Sequence, residues 1–338
     1  MNHETITIET ENTTVELPED NKDFDMRKFM GPQELAFMDV MLLGINTYMS
    51  KNLDAHMAPI VAEIAAKVDA LAEKLGTATP INLNFKEKIT EIDVRHCKLE
   101  TLLHVMSTKQ PALIVGPAGT GKTHAAFQAS EAFQLPFYSI SVGAQTSKTD
   151  LVGYLSPMGR YMTTAFRDAY ENGGVFLMDE MDAGNPNVLI IVNQALAASR
   201  APFPDGMVTK HEDFLFVATA NTFGLGANRQ YVGRNQLDAA TLDRFITIEW
   251  PVDEALEGLL ISGYEHGDRW HRVVKAVRGH VDGHGIRAVI SPRMTIRGAM
   301  LLSLGLEFKD VVEMAMPRSD QDSWAQMLEV AEKTWGRS

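Results

Sequence analysis

The chain has 338 residues, 45% of them hydrophobic and 22% charged, with a formal net charge of −13. That length and composition suit one or two globular domains whose core needs no covalent staple. A single cysteine, Cys97, excludes an intrachain disulfide and fits a reducing compartment, and the acidic balance counts against non-specific binding to a nucleic-acid backbone, which needs clustered Lys and Arg.

Residues 1–31 are acidic and poor in large apolar groups, so a flexible tail, or a strand that orders only on a partner, is expected there. They do not resemble a signal peptide, and no apolar run reaches the roughly 20 residues of a membrane span. A cytoplasmic protein with no membrane contact is therefore expected. Residues 32–95 form an expected N-terminal helical extension. Leu53, Met57, Ile60, Ile64, Val68, Leu71 and Leu75 recur at spacings of three and four, one apolar face of a long helix that ends at Gly76. That face packs on its own domain or on another subunit. INLNFKEKITEIDV (81–94) alternates apolar and polar residues and reads as a strand or hairpin.

LETLLHVMS follows as a helix. Five strand candidates then alternate with helical patterns: ALIV (112–115), FYSISV (137–142), VFLM (175–178), FLFVATA (214–220) and FITIEW (245–250). This predicts an α/β core over 96–250 with a mostly parallel sheet. After Pro251 the patterns are helical, which predicts a small α-helical C-terminal unit over 251–338.

GPAGTGKT (116–123) follows ALIV and opens the next helix, the context that a phosphate-binding loop requires. Its glycines, Gly116, Gly119 and Gly121, let backbone N–H groups turn inward toward phosphate oxygens at a helix N-terminus. Pro117, Ala118, Thr120 and His124 complete the expected nucleotide-binding set. Lys122 would reach the β- and γ-phosphates, and the Thr123 hydroxyl would ligate Mg²⁺. VFLMDEMDAG (175–184) ends a buried strand in adjacent acids, which are costly there without a cation. Asp179 is the expected second metal ligand, and Glu180 the base for the water that attacks the γ-phosphate. Asp182 is expected to cap the helix NPNVLIIVNQAL rather than to act in catalysis. Asn221, directly after the strand FLFVATA, is expected beside the γ-phosphate.

In this order, and with LDRF (242–245) and SPRMTIRGAM (291–300), these features resemble the AAA+ ATPases over about residues 98–305. GPAGTGKT resembles a Walker A motif and FLMDE a Walker B motif. Asn221 is similar to a sensor 1, Arg244 to an arginine finger and Arg293 to a sensor 2. Arg229 and Arg234 compete with Arg244 for the finger role, and Arg297 competes with Arg293. DLVGY (150–154), ATANTFGLG (218–226) and SPR are similar to the MoxR-like branch, and more narrowly to the ATPase subunit of aerobic cobaltochelatase and its phage and bacterial relatives.

The resemblance implies ATP as the nucleotide and a P-loop NTPase sheet sandwich under a helical lid. It also implies a homo-oligomeric ring, usually a hexamer, in which Arg244 serves a neighbour's γ-phosphate. A protein client or a von Willebrand A-type adaptor, or a metal-insertion partner, is the implied target of the motor. The alternatives are a nucleic-acid-associated NTPase motor and a scaffold that uses nucleotide as an assembly switch. Tyr154, Leu155 and Tyr161 lie where ring ATPases face their channel, and either grip polypeptide or pack within a hairpin. APFPDGMVTKHEDF (201–214) reads as a hairpin with Asp-Gly at its turn. His266, His271, His280 and His284 are not expected to bind metal, because Gly279, Gly283 and Gly285 argue against a rigid helix there.

Overall fold

The computed structural model describes residues 94–336, together with a two-residue antiparallel pair, β1 (Glu9–Thr10) and β2 (Thr13–Thr14). The long N-terminal helix and the strand over 81–94 lie outside the described residues, apart from Val94. The described body begins with α1 (Leu99–Ser107) and then alternates strand and helix. The strands β3 (Ala112–Val115), β4 (Phe137–Ser141), β7 (Gly174–Asp179), β10 (Phe214–Ala220) and β11 (Ile246–Glu249) form one sheet in the order β11-β3-β10-β7-β4, with every pair parallel. Parallel strands are covered on both faces, which is why the central ones read as continuous apolar runs.

The period of two along each strand sorts the core into two layers. Leu113, Val115, Phe176, Met178, Phe214, Phe216 and Ala218 face one side, under α4 (Ala165–Asn172) and α5 (Pro186–Ala197). Ala112, Ile114, Val175, Leu177, Leu215, Val217 and Ile248 face the other, under α1 and α2 (Lys122–Phe133). Because all five strands run the same way, their C-terminal ends share one edge of the sheet, and the loops that follow them collect there.

Two hairpins project from the sandwich. The first, β5 (Tyr154–Leu155) with β6 (Tyr161–Met162), follows the short helix α3 (Lys148–Val152). Tyr154, Leu155 and Met158 are exposed, Met158 at 97%. Tyr161 is not: its hydroxyl donates to the Val152 carbonyl at 2.7 Å, and its ring lies under Arg167. The second hairpin pairs β8 (Arg200–Phe203) with β9 (Gly206–Thr209). Phe203 pairs with Gly206, so the turn is Pro204–Asp205 and Gly206 already belongs to the second strand. Asp205 at that turn accepts from Arg167 at 2.8 Å, and Arg167 also lies over Phe203. One buried guanidinium thereby ties the two hairpins together.

After the short helix α6 (Ala239–Leu242) and β11, the chain is helical: α7 (Glu254–Ile261), α8 (Gly267–His284), α9 (Pro292–Ser303), α10 (Phe308–Ala315) and α11 (Gln321–Gly336). Their core is built on Trp270, Val273, Val274, Val277 and Val281 of α8. This corrects the expectation drawn from the glycines. The helix runs through Gly279 and Gly283, because the valine stripe packs against the other lid helices and outweighs the roughly 1 kcal/mol that each glycine costs. Its histidines make local contacts. His284 and His280 rings lie 4.0 Å apart, and His280 meets Gln326.

Residues 250–253 join sheet and lid, and they are pinned. His96 stacks on Trp250 at 4.1 Å and contacts the Pro251 carbonyl at 2.9 Å. Asp253 caps α7 through Leu256 N–H and accepts from Cys97 N–H at 2.7 Å. Hydrogen bonds from these amides hold its carboxyl below the usual range against the opposing effect of burial. Among the described residues, His96, Cys97 and Asp253 are the one cluster with the spacing of a metal site. Those amide contacts, with Lys98 N–H on His96 Nδ1 at 3.1 Å, give them a structural occupation instead.

Candidate active site

The sheet edge brings together groups far apart in sequence, Lys122 and Asn221 among them, 99 residues apart. Lys122, the first residue of α2, extends its ammonium to the carbonyls of Gly116 (2.7 Å) and Pro117 (2.9 Å) and to Asn221 Oδ1 (2.9 Å). Burial pulls its pKa down to about 8, against the pull of Asp179 and Asp182 and with a further push from Arg234 and Arg293. Thr123 Oγ1 donates to Asp179 Oδ2 at 2.9 Å. The other Asp179 oxygen accepts from Thr219, a polar residue next to the C-terminal end of the buried β10 run. A hydroxyl and a carboxylate oxygen side by side are the donors that a hard divalent cation takes.

Glu180 leaves the strand in the left-handed region, at φ 58°. Its N–H is held by Thr219 Oγ1 at 3.1 Å. The two adjacent acids have different partners: Asp179 is held by Thr123 and Thr219, and Glu180 reaches Arg234. A left-handed conformation costs on the order of 1 kcal/mol for a residue with a Cβ.

The phosphate loop fits closely under its neighbours. A Cβ on Gly116 would stand 1.9 Å from the Trp250 carbonyl oxygen, so only glycine is accommodated. A Cβ on Gly119 would lie 3.3 Å from Arg293 Cγ, which places the stem of Arg293 against the loop from the lid side. Trp250 Nε1 donates to the Thr120 carbonyl at 3.1 Å. His124 is exposed on α2.

Asp182 does not cap the following helix. Asn185 does, accepting from Asn187 N–H at 3.0 Å. Asp182 is fully buried and accepts from Asn221 N–H, Thr222 N–H and the Thr222 hydroxyl on one oxygen, and from Arg234 at 3.1 Å on the other. Arg234 also reaches Glu180 Oε2 at 3.3 Å. Of the three candidate fingers, Arg234 is thus engaged within its own site, and Arg229 contacts the Gly285 carbonyl of the lid. Arg244 is exposed, bonded to the Ala240 carbonyl, and lies just before β11. Since Glu249 of β11 pairs with Val115 beside the phosphate loop, Arg244 sits at the opposite end of the sheet.

Three participants were not marked by the motifs. Thr219 carries a weak signal as a lone hydroxyl in an apolar run. Asp182 has a polar pattern but no indication of burial. Tyr231, whose hydroxyl accepts from Ala118 N–H at 2.9 Å, has none, because its loop meets the phosphate loop only through the fold.

Residues 111–245 match the family model described as AAA domain (dynein-related subfamily). They are an AAA+ ATPase domain. The chain is 28% identical over 210 residues to the aerobic cobaltochelatase subunit CobS of Sinorhizobium sp, covering 55% of this chain and 63% of that protein. It is 25% identical over 219 residues to Protein NorQ of Paracoccus denitrificans, covering 61% of this chain and 78% of that one. Against the Lon protease of Methanosarcina barkeri the identity is 24%, over 67% of this chain and 26% of the protease. The match thus spans less than two thirds of the cobaltochelatase subunit and about a quarter of the protease. The resemblance to the MoxR-like branch stands on the first two of these relatives. Among the described residues, no helix is long and apolar enough to cross a membrane.

Proposed function

We propose that this chain is a Mg²⁺-dependent ATPase subunit of a homo-oligomeric ring, a hexamer by family likeness, whose lid movement remodels a partner protein. The convergence of Lys122, Thr123, Asp179 and Asn221 at one sheet edge carries this reading. Lys122 exchanges its carbonyl partners for β- and γ-phosphate oxygens, a better match for a buried ammonium. Backbone N–H groups over Gly116–Thr123 receive the remaining phosphate charge. Thr123 and Asp179 would hold Mg²⁺, which would offset phosphate charge there. Asn221 orients the γ-phosphate end of the site, and Glu180 takes the proton of the attacking water. Arg293 approaches the phosphate loop from the lid, so it links the occupant of the site to lid position.

Two features support assembly and a protein client. Arg244 is separated from its own phosphate loop by the length of β11, on the order of 13 Å, which suits a role at a neighbour's site. The exposed Tyr154, Leu155 and Met158 offer an apolar tip of the kind that binds polypeptide. The similarity to a cobaltochelatase subunit suggests a metal-insertion partner, and a von Willebrand A-type adaptor is the wider class. The test is to express tagged Glu180→Gln in the native host, hold it with ATP and Mg²⁺, and identify by mass spectrometry what co-purifies. A stoichiometric protein is expected. Nuclease-sensitive nucleic acid with no such protein would favour a motor on DNA or RNA instead.

A further inference from the structure

Residues 224–237 form a closed loop after the Asn221 strand. Leu225 and Gln236 bridge its base, and Leu237 N–H donates to the Gly224 carbonyl at 2.9 Å. Asn228 holds its tip, accepting from Gln230 N–H and Tyr231 N–H at 2.9 and 2.8 Å. Asn235 ties its far side to the Asp182 and Gly184 carbonyls at 2.7 and 2.9 Å. The loop is thus braced as one unit, and the side chains of Arg229, Gln230, Tyr231 and Arg234 point from it to three different parts of the machine. Tyr231 meets the phosphate loop at Ala118 N–H, Arg234 meets Glu180, and Arg229 and Gln230 meet the lid at the carbonyls of Gly285 (3.2 Å) and Ala288 (3.4 Å).

We propose that residues 228–235 form a nucleotide sensor that acts within one subunit, in which Tyr231 donates a hydrogen bond to the terminal phosphate of a bound nucleoside triphosphate, Arg234 positions Glu180, and Arg229 with Gln230 passes the state of the site to the lid. The inference rests on the nucleotide-binding reading above and adds residues to it.

The Tyr231 hydroxyl accepts from Ala118 N–H, and its own proton has no acceptor among the described residues. An anchored hydroxyl with a spare donor at the rim of a phosphate loop is matched by the extra oxygens of a triphosphate and not by those of a diphosphate, which end one phosphate earlier. Arg234 has one permanent and one exchangeable partner. Asp182 is fully buried and cannot give up its cation, whereas the Glu180 side chain is 49% exposed and its contact is the longer of the two. The guanidinium therefore stays while Glu180 can leave it for water. A shift of Tyr231 toward phosphate moves a loop whose other contacts are lid carbonyls, so site occupancy and lid position are mechanically joined.

The test uses the full chain and two probes, a non-hydrolysable ATP analogue and ADP, each with Mg²⁺, bound to wild type, Tyr231→Phe and Lys122→Ala. Tyr231→Phe keeps the ring and removes only the hydroxyl. Its affinity for the triphosphate is expected to fall about tenfold, with ADP affinity unchanged. Arg234→Lys, which keeps a cation for Asp182 but loses the second reach, is expected to lower kcat with KM unchanged. Hydrogen exchange over residues 285–290 is expected to respond to the triphosphate in wild type and to lose that response in the Arg229→Ala/Gln230→Ala double variant. Lys122-dependent binding with Tyr231→Phe equal to wild type on both probes, or weakened equally on both, overturns the sensor alone. Absence of binding by wild type, or binding that survives Lys122→Ala, overturns the nucleotide-site reading and the sensor with it.

Discussion

Asp182 shows what a single buried charge does at this site. It has no solvent contact and satisfies two backbone N–H groups, a hydroxyl and a guanidinium, joining the strand end at Asp179, the strand end at Asn221 and the loop that carries Arg234. Removing one partner of such a set leaves an uncompensated charge and unmade hydrogen bonds. Asp182→Ala is therefore expected to lose about 3–5 kcal/mol of stability, read from the urea midpoint with an unchanged slope. A loss below about 1 kcal/mol would show that water replaces the carboxylate. Glu180 sits two residues away and has the opposite character: exposed, kinked and weakly paired. Glu180→Gln is expected to keep its fold and its ATP affinity while steady-state turnover falls about 10²–10⁴-fold. Turnover near the wild-type rate would remove Glu180 from its assigned role. The convergence of Lys122, Thr123, Asp179 and Asn221 was legible in sequence because each stands at the C-terminal end of a strand or at the start of the helix that follows it, and a parallel sheet makes such ends neighbours. Tyr231 and the hub role of Asp182 were not, since both depend on where a loop returns after the strand.

Elements divide in the same way. ALIV and FLFVATA matched β3 and β10 to the residue, because buried parallel strands are nearly continuous apolar runs, bounded here by Pro111 and Gly116 and by Asp213 and Asn221. The α8 helix defied its glycines because tertiary packing on the valine stripe, which local propensity does not contain, decides it. That lid is also held by one buried carboxylate. Glu257 on α7 accepts from Arg278 at 2.6 and 3.0 Å and from Thr295, with His271 Nε2 3.5 Å away. Burial alone would raise its pKa, but hydrogen bonds from Arg278 and Thr295, the charge of Arg278 and the nearby His271 ring hold it down at about 2. A carboxylate depressed in the folded state contributes stability above its unfolded pKa and loses it as pH falls toward the folded value. At neutral pH this contribution is on the order of 3 kcal/mol. Glu257→Gln is thus expected to be less stable than wild type at pH 7, and the gap to close between about pH 4.5 and 2. Denaturant titrations of both chains across that range check it; a gap independent of pH would assign the loss to packing.

At the scale of the whole molecule, the question is whether one subunit holds a complete site. Asn221, Tyr231 and, from the lid, Arg293 reach the phosphate loop of their own chain. Arg244 is the exception, exposed at the far end of β11. If it acts across an interface, Lys122→Ala and Arg244→Ala damage different halves of the same composite site. Each variant alone is then inactive, Lys122→Ala for want of bound ATP and Arg244→Ala for want of a finger worth about 10³–10⁵ in rate. Co-expressed in equal amounts, they assemble some interfaces in which the Arg244→Ala subunit supplies the intact phosphate loop and the Lys122→Ala subunit supplies the intact arginine. In a head-to-tail ring that arrangement occurs at about a quarter of the interfaces, so ATPase activity is expected to return to roughly that fraction of wild type. Activity no greater than the sum of the two separate variants would mean that Arg244 serves its own subunit or none. The same assembly should make specific activity of the wild type rise with protein concentration, because dilution removes the finger while leaving every other group of the site in place.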